Sequence, residues 1–381
     1  MDNLKKHKFI VFAEDHFNSL GVIRSLGEAG INPIVVLHTN KSILIKYSKY
    51  ISTIHYSQSI AEGYRIIVEK YGKEEEKPFL FVSSDEVGSY LDKHYDEIKD
   101  KFYFYNAGIA GRVTQMMEKS EIVRMAEACG FRAPRSEMVK KGQLPKDLAF
   151  PILTKANTST IYNWKSNVFI CHSEPELLEA YEKITCEEVL LQEYVEKIDE
   201  FNIEGFCFDD GKAVFMPLQN RFFRTTEQSF GNYLYIDNMM PAELETKLKL
   251  LFEQTRFNGI FEVEFLIGKD GTFYFLEINF RNSAWVYAYT KCGVNFFVEY
   301  AKALLYGKLP SVQDFQLKRL PFKAMDELTD FKWSVASGKV SLLKWINELT
   351  DADCLYYYNK DDKRPFFFYL FNRLKGALHI G

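Results

Sequence analysis

The sequence predicts a mixed α/β protein with an α+β arrangement, in which a Rossmann-like half precedes a domain built on antiparallel hairpins. Residues 8–13, 20–29 and 34–37 read as strand, helix and strand, which is the start of a parallel α/β sheet. Residues 258–281 instead alternate apolar and polar positions around an Asp-Gly pair, as antiparallel hairpins do. At 381 residues the chain is long enough for two or three domains, each with its own core.

Composition and charge argue against several classes of protein. A hydrophobic content of 47% and a charged content of 26% are ordinary for a globular protein, and a net charge of −4 argues against a nucleic-acid-binding surface. The six cysteines are scattered without a C-x-x-C pattern, which favours reduced thiols. No apolar run approaches the length of a bilayer span, and the stretch 9–13 is too short for a signal-peptide core. We therefore expect a cytoplasmic protein without a membrane span.

Polar residues follow the predicted strands of the N-terminal half. Ser-Ser-Asp-Glu occupies 83–86, directly after the strand 79–82. Because α/β sheets bind their ligands at the carboxyl ends of the strands, Asp85 is a candidate substrate contact. Asp15, His16 and Asn18 occupy the equivalent position after the first strand. For all of these residues a turn or helix-cap role is the alternative.

The hairpin around residues 270–271 (Asp-Gly) allows a register to be worked out. If these two residues form a two-residue loop, Glu264 lies directly opposite Glu277, and Glu262 lies opposite Asn279. The Cβ atoms of the two opposed carboxylates would then be roughly 5 Å apart. Such a pair repels by about 3 kcal/mol at an effective dielectric of about 20, unless a cation lies between its members.

Oxygen ligands of this kind are typical of Mg²⁺, which completes its coordination with water and substrate phosphates. The residue types therefore predict a metal site formed by Glu264, Glu277 and Asn279. The alternative is a solvated acidic face on an ordinary hairpin. Arg281, which shares the row with Asn279, and the aromatic neighbours favour the site.

The same residues resemble a known family. The sequences FEVEFL and EINFRNS are similar to the metal-binding end of the ATP-grasp ligases, and most similar to carboxylate–amine ligases of the D-aspartate ligase type and to carbamoyl-phosphate-synthase-like proteins. The opening sequence FAEDHFNSLGVIRSLGEAGI resembles the start of the pre-ATP-grasp domain of this branch. The resemblance implies an ATP-grasp fold with a Rossmann-like N-terminal pre-ATP-grasp domain. It also implies that ATP and Mg²⁺ (or Mn²⁺) are the cofactors.

The resemblance extends to two lysines and one arginine. Lys119, in a predicted helix over 113–129, matches the first family lysine, although such a lysine alone is normally solvated. Lys155, at the end of the apolar strand 150–155, matches the second, which implies a phosphate ligand. Together, Lys119, Lys155 and Arg281 would neutralise phosphate and acyl-phosphate oxygens during catalysis. The following residues 156–160 (Ala-Asn-Thr-Ser-Thr) lack the glycines of the family's phosphate flap, so hydroxyl groups would share that role.

Residues 189–200 resemble the hinge between the two lobes of the family. The resemblance implies that Gln192, Glu193 and Val195 bind adenine and that Glu200 holds the ribose hydroxyls. An edge strand followed by a charged loop is the alternative.

A second Asp-Gly pair at 210–211 predicts another hairpin, whose register would pair Glu200 with Arg221 unless Pro217 introduces a bulge. Arg221 and Arg224 precede a polar stretch that runs through Gln228. Arginines in that position suit recognition of a carboxylate or a phosphate. The alternative is that both are ordinary surface arginines.

The predicted domains are a Rossmann-like domain over 1–110, an ATP-grasp domain over 111–310 and a C-terminal extension over 311–381. The lid of the grasp domain would cover about 135–195. The extension ends in the aromatic, partly basic run PFFFYLFNRLK, which we expect to pack on its own domain, with contact to a membrane surface as the alternative.

The activity implied is amide-bond formation. ATP would phosphorylate a substrate carboxylate, and an amine would attack the acyl phosphate with release of ADP and phosphate. The expected partners are a small-molecule carboxylate and amine, such as amino acids or peptides, and no nucleic acid; a homodimer is compatible with the sequence. Two alternatives stay open, namely phosphorylation of a small carboxylate of the carbamoyl-phosphate type and a non-catalytic nucleotide-binding regulator.

Overall fold

The computed structural model describes residues 3–39, 42–157, 167–225 and 231–377. Within these residues the strands form a parallel sheet, a small antiparallel sheet and a large sheet that is almost entirely antiparallel. No helix in the same ranges has the length and apolarity needed to cross a bilayer. All six cysteines are free thiols.

The N-terminal domain is a four-stranded parallel sheet in the order β3-β2-β1-β4. Its elements are β1 (Phe9–Ala13), α1 (Phe17–Glu28), β2 (Ile34–Leu37), β3 (Thr53–Tyr56), α2 (Ile60–Tyr71), β4 (Phe79–Val82), α3 (Asp85–Lys93) and α4 (Tyr95–Ile98). Every residue of β1, β2 and β4 is buried, which is why these strands are uninterrupted apolar runs. The carboxyl end of β4 leads directly into Asp85, the first residue of α3.

The next segment forms two helices and a small antiparallel sheet in the order β5-β8-β6-β7. Its elements are α5 (Arg112–Met116), α6 (Lys119–Ala128), β5 (Ser136–Lys140), β6 (Ile152–Lys155), β7 (Phe169–Cys171), α7 (Glu174–Lys183) and β8 (Glu188–Glu193). Ile152, Leu177, Val189 and Leu191 belong to a hydrophobic core that is separate from the main one. This sheet therefore has its own packing unit within the chain.

The single helix predicted over 113–129 is wrong, because the structure has a break between α5 and α6. Glu118 has an extended backbone with ψ of 122° and precedes α6 as its N-cap residue. The backbone N–H of Lys119 donates to the carbonyl of Asn157 (2.8 Å) instead of to its own helix. Lys119 is therefore the first residue of a helix, at a point where α6 meets the end of the small sheet.

The large sheet has seven strands among the described residues, in the order β13-β12-β9-β10-β11-β14-β15. Its strands are β9 (Lys197–Phe208), β10 (Ala213–Phe222), β11 (Tyr233–Asp237), β12 (Gly259–Gly268), β13 (Phe273–Asn279), β14 (Phe322–Met325) and β15 (Cys354–Leu355). The helices of this part are α8 (Ala242–Thr255), α9 (Val286–Cys292), α10 (Phe296–Tyr306), α11 (Glu327–Asp330), α12 (Leu342–Asp351) and α13 (Arg364–Ala377). The C-terminal segment thus contributes the last two strands of the sheet.

The β12–β13 hairpin has the predicted carboxylate pairing, although its turn differs from the prediction. Glu264 pairs with Glu277, and Glu262 pairs with Asn279. The N–H of Gly268 donates to the carbonyl of Thr272 (3.0 Å), so the loop has three residues instead of two. A bulge between Glu264 and the next pair then adds one residue on β13. The longer turn and the bulge cancel, which restores the register at the carboxylates.

In the β9–β10 hairpin the turn is as predicted, but the register beyond it is not. Asp210 and Gly211 both have positive φ, at 54° and 77°, as a two-residue loop of mirror-image turn type requires. The register shifts between Phe215 and Leu218, around the proline at 217 where a bulge was predicted. As a result Arg221 pairs with Phe201, and the predicted pairing of Glu200 with Arg221 is wrong.

The C-terminal segment is fastened to the N-terminal domain by a buried arginine. Arg24 on α1 is fully buried, and its Nε lies 3.1 Å from Oδ2 of Asp362. Its Nη1 donates to the carbonyl of Tyr356 (2.7 Å), and its Nη2 donates to those of Tyr357 and Asp362 (both 3.0 Å). Because its guanidinium is bonded at all three nitrogens, this arginine fixes the chain between β15 and α13.

Candidate functional site

A row of acidic and amide side chains lies at the paired positions of β12 and β13. Nδ2 of Asn279 donates to Oε2 of Glu262 (3.0 Å) and to Oε1 of Glu264 (2.7 Å). The other oxygen of Glu264 is buried and has no hydrogen-bond partner. Burial, followed by the charges of Glu277 and Glu262, raises the pKa of Glu264 well above its usual range. In the free protein the protonated form of Glu264 is therefore favoured, and a cation bound beside it would favour the ionised form.

Lys119 reaches this row from the start of α6. Its ammonium group forms an ion pair with Glu277 that is almost removed from solvent. Burial alone would raise the pKa of Glu277, but Lys119, then Lys155 and Arg281, outweigh it, and the pKa lies below its ordinary value. Although the sequence alone would leave Lys119 on a solvated helix face, the structure places it against the predicted metal ligand Glu277.

Lys155 is the second lysine near the row. It ends β6, and its Nζ donates to Oε1 of Gln192 (2.9 Å) on the neighbouring strand β8. Burial, together with repulsion from Lys119, lowers the pKa of Lys155 to about 8, although Glu277 and Glu264 act in the opposite direction. The side chain is thus a partly buried cation that lacks an adjacent carboxylate partner of its own among the described contacts.

Arg281 connects the row to the N-terminal domain. Its Nε lies 2.9 Å from Oδ1 of Asp85, and its Nη2 donates to Oδ1 of Asn279 (3.2 Å). Burial would lower the pKa of Arg281, but Asp85 and the carboxylates of Glu262 and Glu264 keep it above its ordinary value. The structure therefore brings Asp85, Asn279 and Arg281 together, and Asp85 faces an arginine of the chain itself.

The polar row also includes residues of β9 and β10 that the sequence analysis did not assign to the site. Asn202 and Glu204 on β9 pair with Glu264 and Glu262, and Asn220 on β10 pairs with Asn202. Paired residues of an antiparallel sheet share a face, so the row crosses from β13 to β10. Oδ1 of Asn202 and Nδ2 of Asn220 are buried without hydrogen-bond partners.

A signal for these residues is present in the sequence. Glu200, Asn202 and Glu204 recur at period two in a segment whose intervening residues 201, 203 and 205 are apolar or glycine. Alternation of this kind normally indicates a solvated face. Here all three polar residues are buried, because the face they share carries the site.

The hinge residues lie where the small sheet joins the large one. Oε2 of Glu193 accepts from Nε of Arg135 (2.6 Å), and Val195 lies in the short link between β8 and β9. Glu200 is fully buried and forms an ion pair with Lys197. Burial raises the pKa of Glu200 to about 7, against the influence of Lys197.

The two arginines after the β9–β10 hairpin are engaged by acidic residues. Nη2 of Arg221 lies 2.7 Å from Asp199. Arg224 contacts Asp330 (2.5 Å) and Glu348 (2.8 Å), so it points toward the C-terminal segment. The hydroxyl residues 158–160 and Gln228, which were predicted to lie near the phosphates and beside these arginines, fall outside the described residues.

The row offers oxygen donors of the kind that a magnesium ion requires. In the described part of the chain, no three His, Cys, Asp or Glu side chains are grouped so that they could hold a metal by themselves. The available donors are two carboxylates, Glu264 and Glu277, and the amide oxygen of Asn279. The unpartnered, buried oxygen of Glu264 is the kind of atom that a cation would satisfy. An all-oxygen set of this size fits Mg²⁺ that retains water and phosphate ligands.

No protein-family model matches the sequence, and no curated protein matches it either. Solved structures do match. An ADP complex of N5-carboxyaminoimidazole ribonucleotide synthetase is 15% identical, with a TM-score of 0.67 over 98% of this chain and 96% of that one. The N5-carboxyaminoimidazole synthetase of Staphylococcus aureus is 13% identical, with a TM-score of 0.65 over 87% and 86% of the two chains.

A third similar structure is the L-amino acid ligase of Bacillus licheniformis, which is 12% identical with a TM-score of 0.60 over 79% of this chain and 74% of that one. At such low identity these similarities establish the fold. They also extend across both the N-terminal domain and the large sheet, since the first of them covers nearly all of both chains. The chain therefore has the ATP-grasp fold with a Rossmann-like N-terminal domain.

Proposed function

We propose that the protein is an ATP-dependent carboxylate–amine ligase. ATP phosphorylates a substrate carboxylate, an amine attacks the acyl phosphate, and an amide forms with release of ADP and phosphate. The observation that carries the proposal is the meeting of Lys119, Lys155 and Arg281, from three different parts of the chain, around the carboxylates of Glu264 and Glu277. Three cations beside metal-type ligands suit the charge of a triphosphate.

The two lysines would bind the phosphates. Lys155 is held by a neutral partner, the amide oxygen of Gln192. Its ammonium group can therefore donate to a phosphate oxygen instead, without leaving a carboxylate unpaired. Lys119 would exchange Glu277 for a phosphate oxygen. Glu277 would then be available to hold a metal ion together with Glu264 and Asn279. When it is bound there, Mg²⁺ supplies charge neutralisation of the terminal phosphates.

Arg281 would orient the reacting acyl group. Its Nη2 already touches the Asn279 amide, and its Nε touches Asp85, so its planar head is fixed in position. A guanidinium in that place can donate to the oxygens of the carboxylate and then to those of the acyl phosphate. No nucleophilic side chain is required, because the substrate carboxylate attacks ATP directly and catalysis consists of positioning and charge neutralisation.

The nucleoside would lie at the hinge. Backbone groups near Glu193 and Val195 would contact adenine, and the buried Glu200 would accept from the ribose hydroxyls after Lys197 moves aside. Asp85, Arg221 and Arg224 are proposed as substrate contacts, and Asp85 is linked to the acidic row through its ion pair with Arg281. The Bacillus ligase of the same fold is named for L-amino acids, which supports amino acids or short peptides as the first substrates to test.

A screen for substrate-dependent ADP release tests the proposal. Amino acids, short peptides and small carboxylates, including bicarbonate, are supplied singly and in pairs with ATP and Mg²⁺. We expect ADP only when an acid and an amine are both present, and none from a Lys155→Met variant. ADP release with bicarbonate alone would favour the carbamoyl-phosphate type of reaction. A protein that binds ATP tightly and releases no ADP with any pair would instead be a nucleotide-binding regulator.

A further inference from the structure

The last helix of the chain, α13, has two unlike sides. Its inner side packs on the protein, where the Phe368 ring stacks on Tyr47 with centroids 3.9 Å apart and the Tyr369 ring lies 4.9 Å from that of Tyr357. Its outer side carries Phe367, Phe371 and Leu374, whose exposed fractions are 56%, 55% and 61%. Spacings of four and three residues place these three on one stripe of the helix.

Cations surround this apolar stripe. The exposed basic residues on the helix and on the loop that it contacts are Lys46, Lys49, Lys363, Arg364, Arg373 and Lys375. None of the six forms an ion pair within the described part of the chain, and several lie instead against aromatic rings, such as Lys375 at 5.0 Å from the Phe371 ring centre. Exposed helices elsewhere pair their lysines, as with Lys183 and Glu179 or Lys249 and Glu245. The basic rim of α13 therefore has no ion-pair partner among the described residues, although the net charge of the chain is −4.

We propose that α13 docks the protein on an anionic membrane surface. The exposed Phe-Phe-Leu stripe would enter the boundary between head groups and acyl chains, and the rim of cations would face the lipid phosphates. With 14 residues the helix is about 21 Å long, which is too short to span a bilayer and suited to lying in its plane.

Charge selects this occupant over a second copy of the chain. A symmetric dimer through the same stripe would place both sets of unpaired cations next to each other, which opposes association. An anionic bilayer supplies apolar depth and negative charge together. Of the two acidic residues just before the helix, Asp362 turns inward onto Arg24 and only Asp361 is exposed, so the six cations outnumber it.

Docking would also orient the rest of the molecule. Tyr47, which stacks on Phe368, follows a loop that Asp15 fixes by accepting from the N–H groups of Ile43 (2.6 Å) and Ile45 (2.9 Å). That loop begins at the carboxyl-end edge of the N-terminal parallel sheet, the same edge that carries Asp85. A docked chain would hold this edge beside the bilayer. The proposal does not depend on the ligase activity.

Vesicle flotation of the full chain without nucleotide tests the proposal. The two lipid probes are phosphatidylcholine alone and phosphatidylcholine with roughly a third replaced by phosphatidylglycerol. We expect binding to the anionic vesicles to exceed binding to the neutral ones by about tenfold and to weaken in about 0.5 M salt. A Phe367→Ser/Phe371→Ser variant should lose about tenfold in binding to anionic vesicles. Lys46→Gln/Lys49→Gln should lose the preference for anionic lipid.

Leu343→Ser on α12 is the matched control, since Leu343 is 78% exposed and lies outside the stripe. This variant should bind vesicles as the unaltered chain does. Equal binding to both lipids, no binding, or an equal loss in Leu343→Ser would overturn the proposal. If vesicles are not bound and sedimentation shows an assembly that the Phe367→Ser/Phe371→Ser variant dissolves, the stripe is a protein interface instead. Nucleotide binding measured on the same variants separates a failure of docking from a failure of the proposed activity.

Discussion

Lys119 and Glu277, which are 158 positions apart in the sequence, form a nearly buried ion pair at the centre of the candidate site. The pair joins a predicted phosphate ligand to a predicted metal ligand. In the nucleotide-free protein Lys119 neutralises Glu277. In the proposed function, Lys119 would bind a phosphate oxygen instead and Glu277 would ligate a metal. This arrangement makes the stability of the free protein sensitive to the same residues that would bind ATP.

Replacing Lys119 should destabilise the nucleotide-free protein. Lys119→Met leaves Glu277 buried beside Glu264 without its cation, and we expect the free energy of unfolding to fall by about 3 kcal/mol near pH 7. Urea unfolding measures the change. Glu277→Gln is the control, because it removes a charge that repels Glu264 and should cost less stability while still abolishing turnover. Equal stability of Lys119→Met and the unaltered chain would contradict a structural role for the pair.

The pKa of Lys155 predicts how nucleotide binding depends on pH. Since the pKa lies at about 8 in the free protein, the lysine is charged below that value and neutral above it. Phosphate binding favours the charged form, so above about pH 8 it must take up a proton, and affinity should fall by up to about tenfold per pH unit. Calorimetric titration with a non-hydrolysable ATP analogue measures this.

The controls are two substitutions at Lys155. Lys155→Arg keeps its charge, so its affinity should stay nearly constant over the same pH range, whereas Lys155→Met should bind weakly at every pH. The stability of the free protein depends on pH in the opposite sense to nucleotide affinity. Burial disfavours the charged form, so this lysine's contribution to stability increases as pH rises from about 8 towards its ordinary value of 10.5. A flat binding profile for the unaltered chain would contradict the role of Lys155.

The β12–β13 hairpin shows which features of the site can be predicted from the sequence and which cannot. The opposition of Glu264 and Glu277 was predicted from period-two alternation and an Asp-Gly turn, and it is confirmed. The assumed two-residue loop is wrong, and a bulge offsets the error. Turn length and bulges depend on how a strand packs against its neighbours, so local residue preferences do not determine them. Glu264 still pairs with Glu277 because both carboxylates must lie on the same face of the sheet.

Contacts between distant segments could not be predicted from the sequence. The ion pair of Lys119 with Glu277 joins residues that are 158 positions apart, and that of Arg281 with Asp85 joins the large sheet to the N-terminal domain. No periodicity connects such residues, and only family resemblance indicated that Lys119 matters. The polar row of Asn202 and Asn220 was missed for a related reason. Burial of an alternating polar face depends on what packs over it, which a single strand does not reveal.

The proposed metal site can be tested by measuring protein stability as well as activity. Asn279→Asp replaces the amide that donates to Glu262 and Glu264 with another carboxylate, so we expect the nucleotide-free protein to lose about 2–3 kcal/mol. Mg²⁺ should restore part of that loss, because the added charge is then a ligand. Thermal unfolding with and without Mg²⁺ measures both effects.

Asn220→Asp makes the same chemical change at a buried position two strands away from Glu264. It should be destabilising too, but Mg²⁺ should recover little of its loss. If Mg²⁺ affects the two variants alike, or affects neither, then Glu264, Glu277 and Asn279 do not form a metal site.

The buried Arg24–Asp362 pair should control the attachment of the C-terminal segment. Arg24→Met removes the cation and the donors to three backbone carbonyls, so we expect a loss of about 3–5 kcal/mol in stability. Limited proteolysis should then cut faster after residue 355. Asp362→Asn retains a hydrogen-bond acceptor and should cost less. Unchanged proteolysis in Arg24→Met would show that the segment is held by its strands alone.

The nucleotide product tests the central proposal most directly. In the proposed function, Lys155 and the row formed by Glu264, Glu277 and Asn279 would surround the terminal phosphates, so the γ-phosphoryl group would be the one offered to the acid. The measurement is chromatographic separation of the nucleotides after incubation with ATP, Mg²⁺, the acid and hydroxylamine. We predict ADP in equal amount to a hydroxamate, formed when hydroxylamine intercepts the acyl phosphate. AMP and pyrophosphate as the stoichiometric products would contradict the mechanism, because they require attack on the α-phosphate.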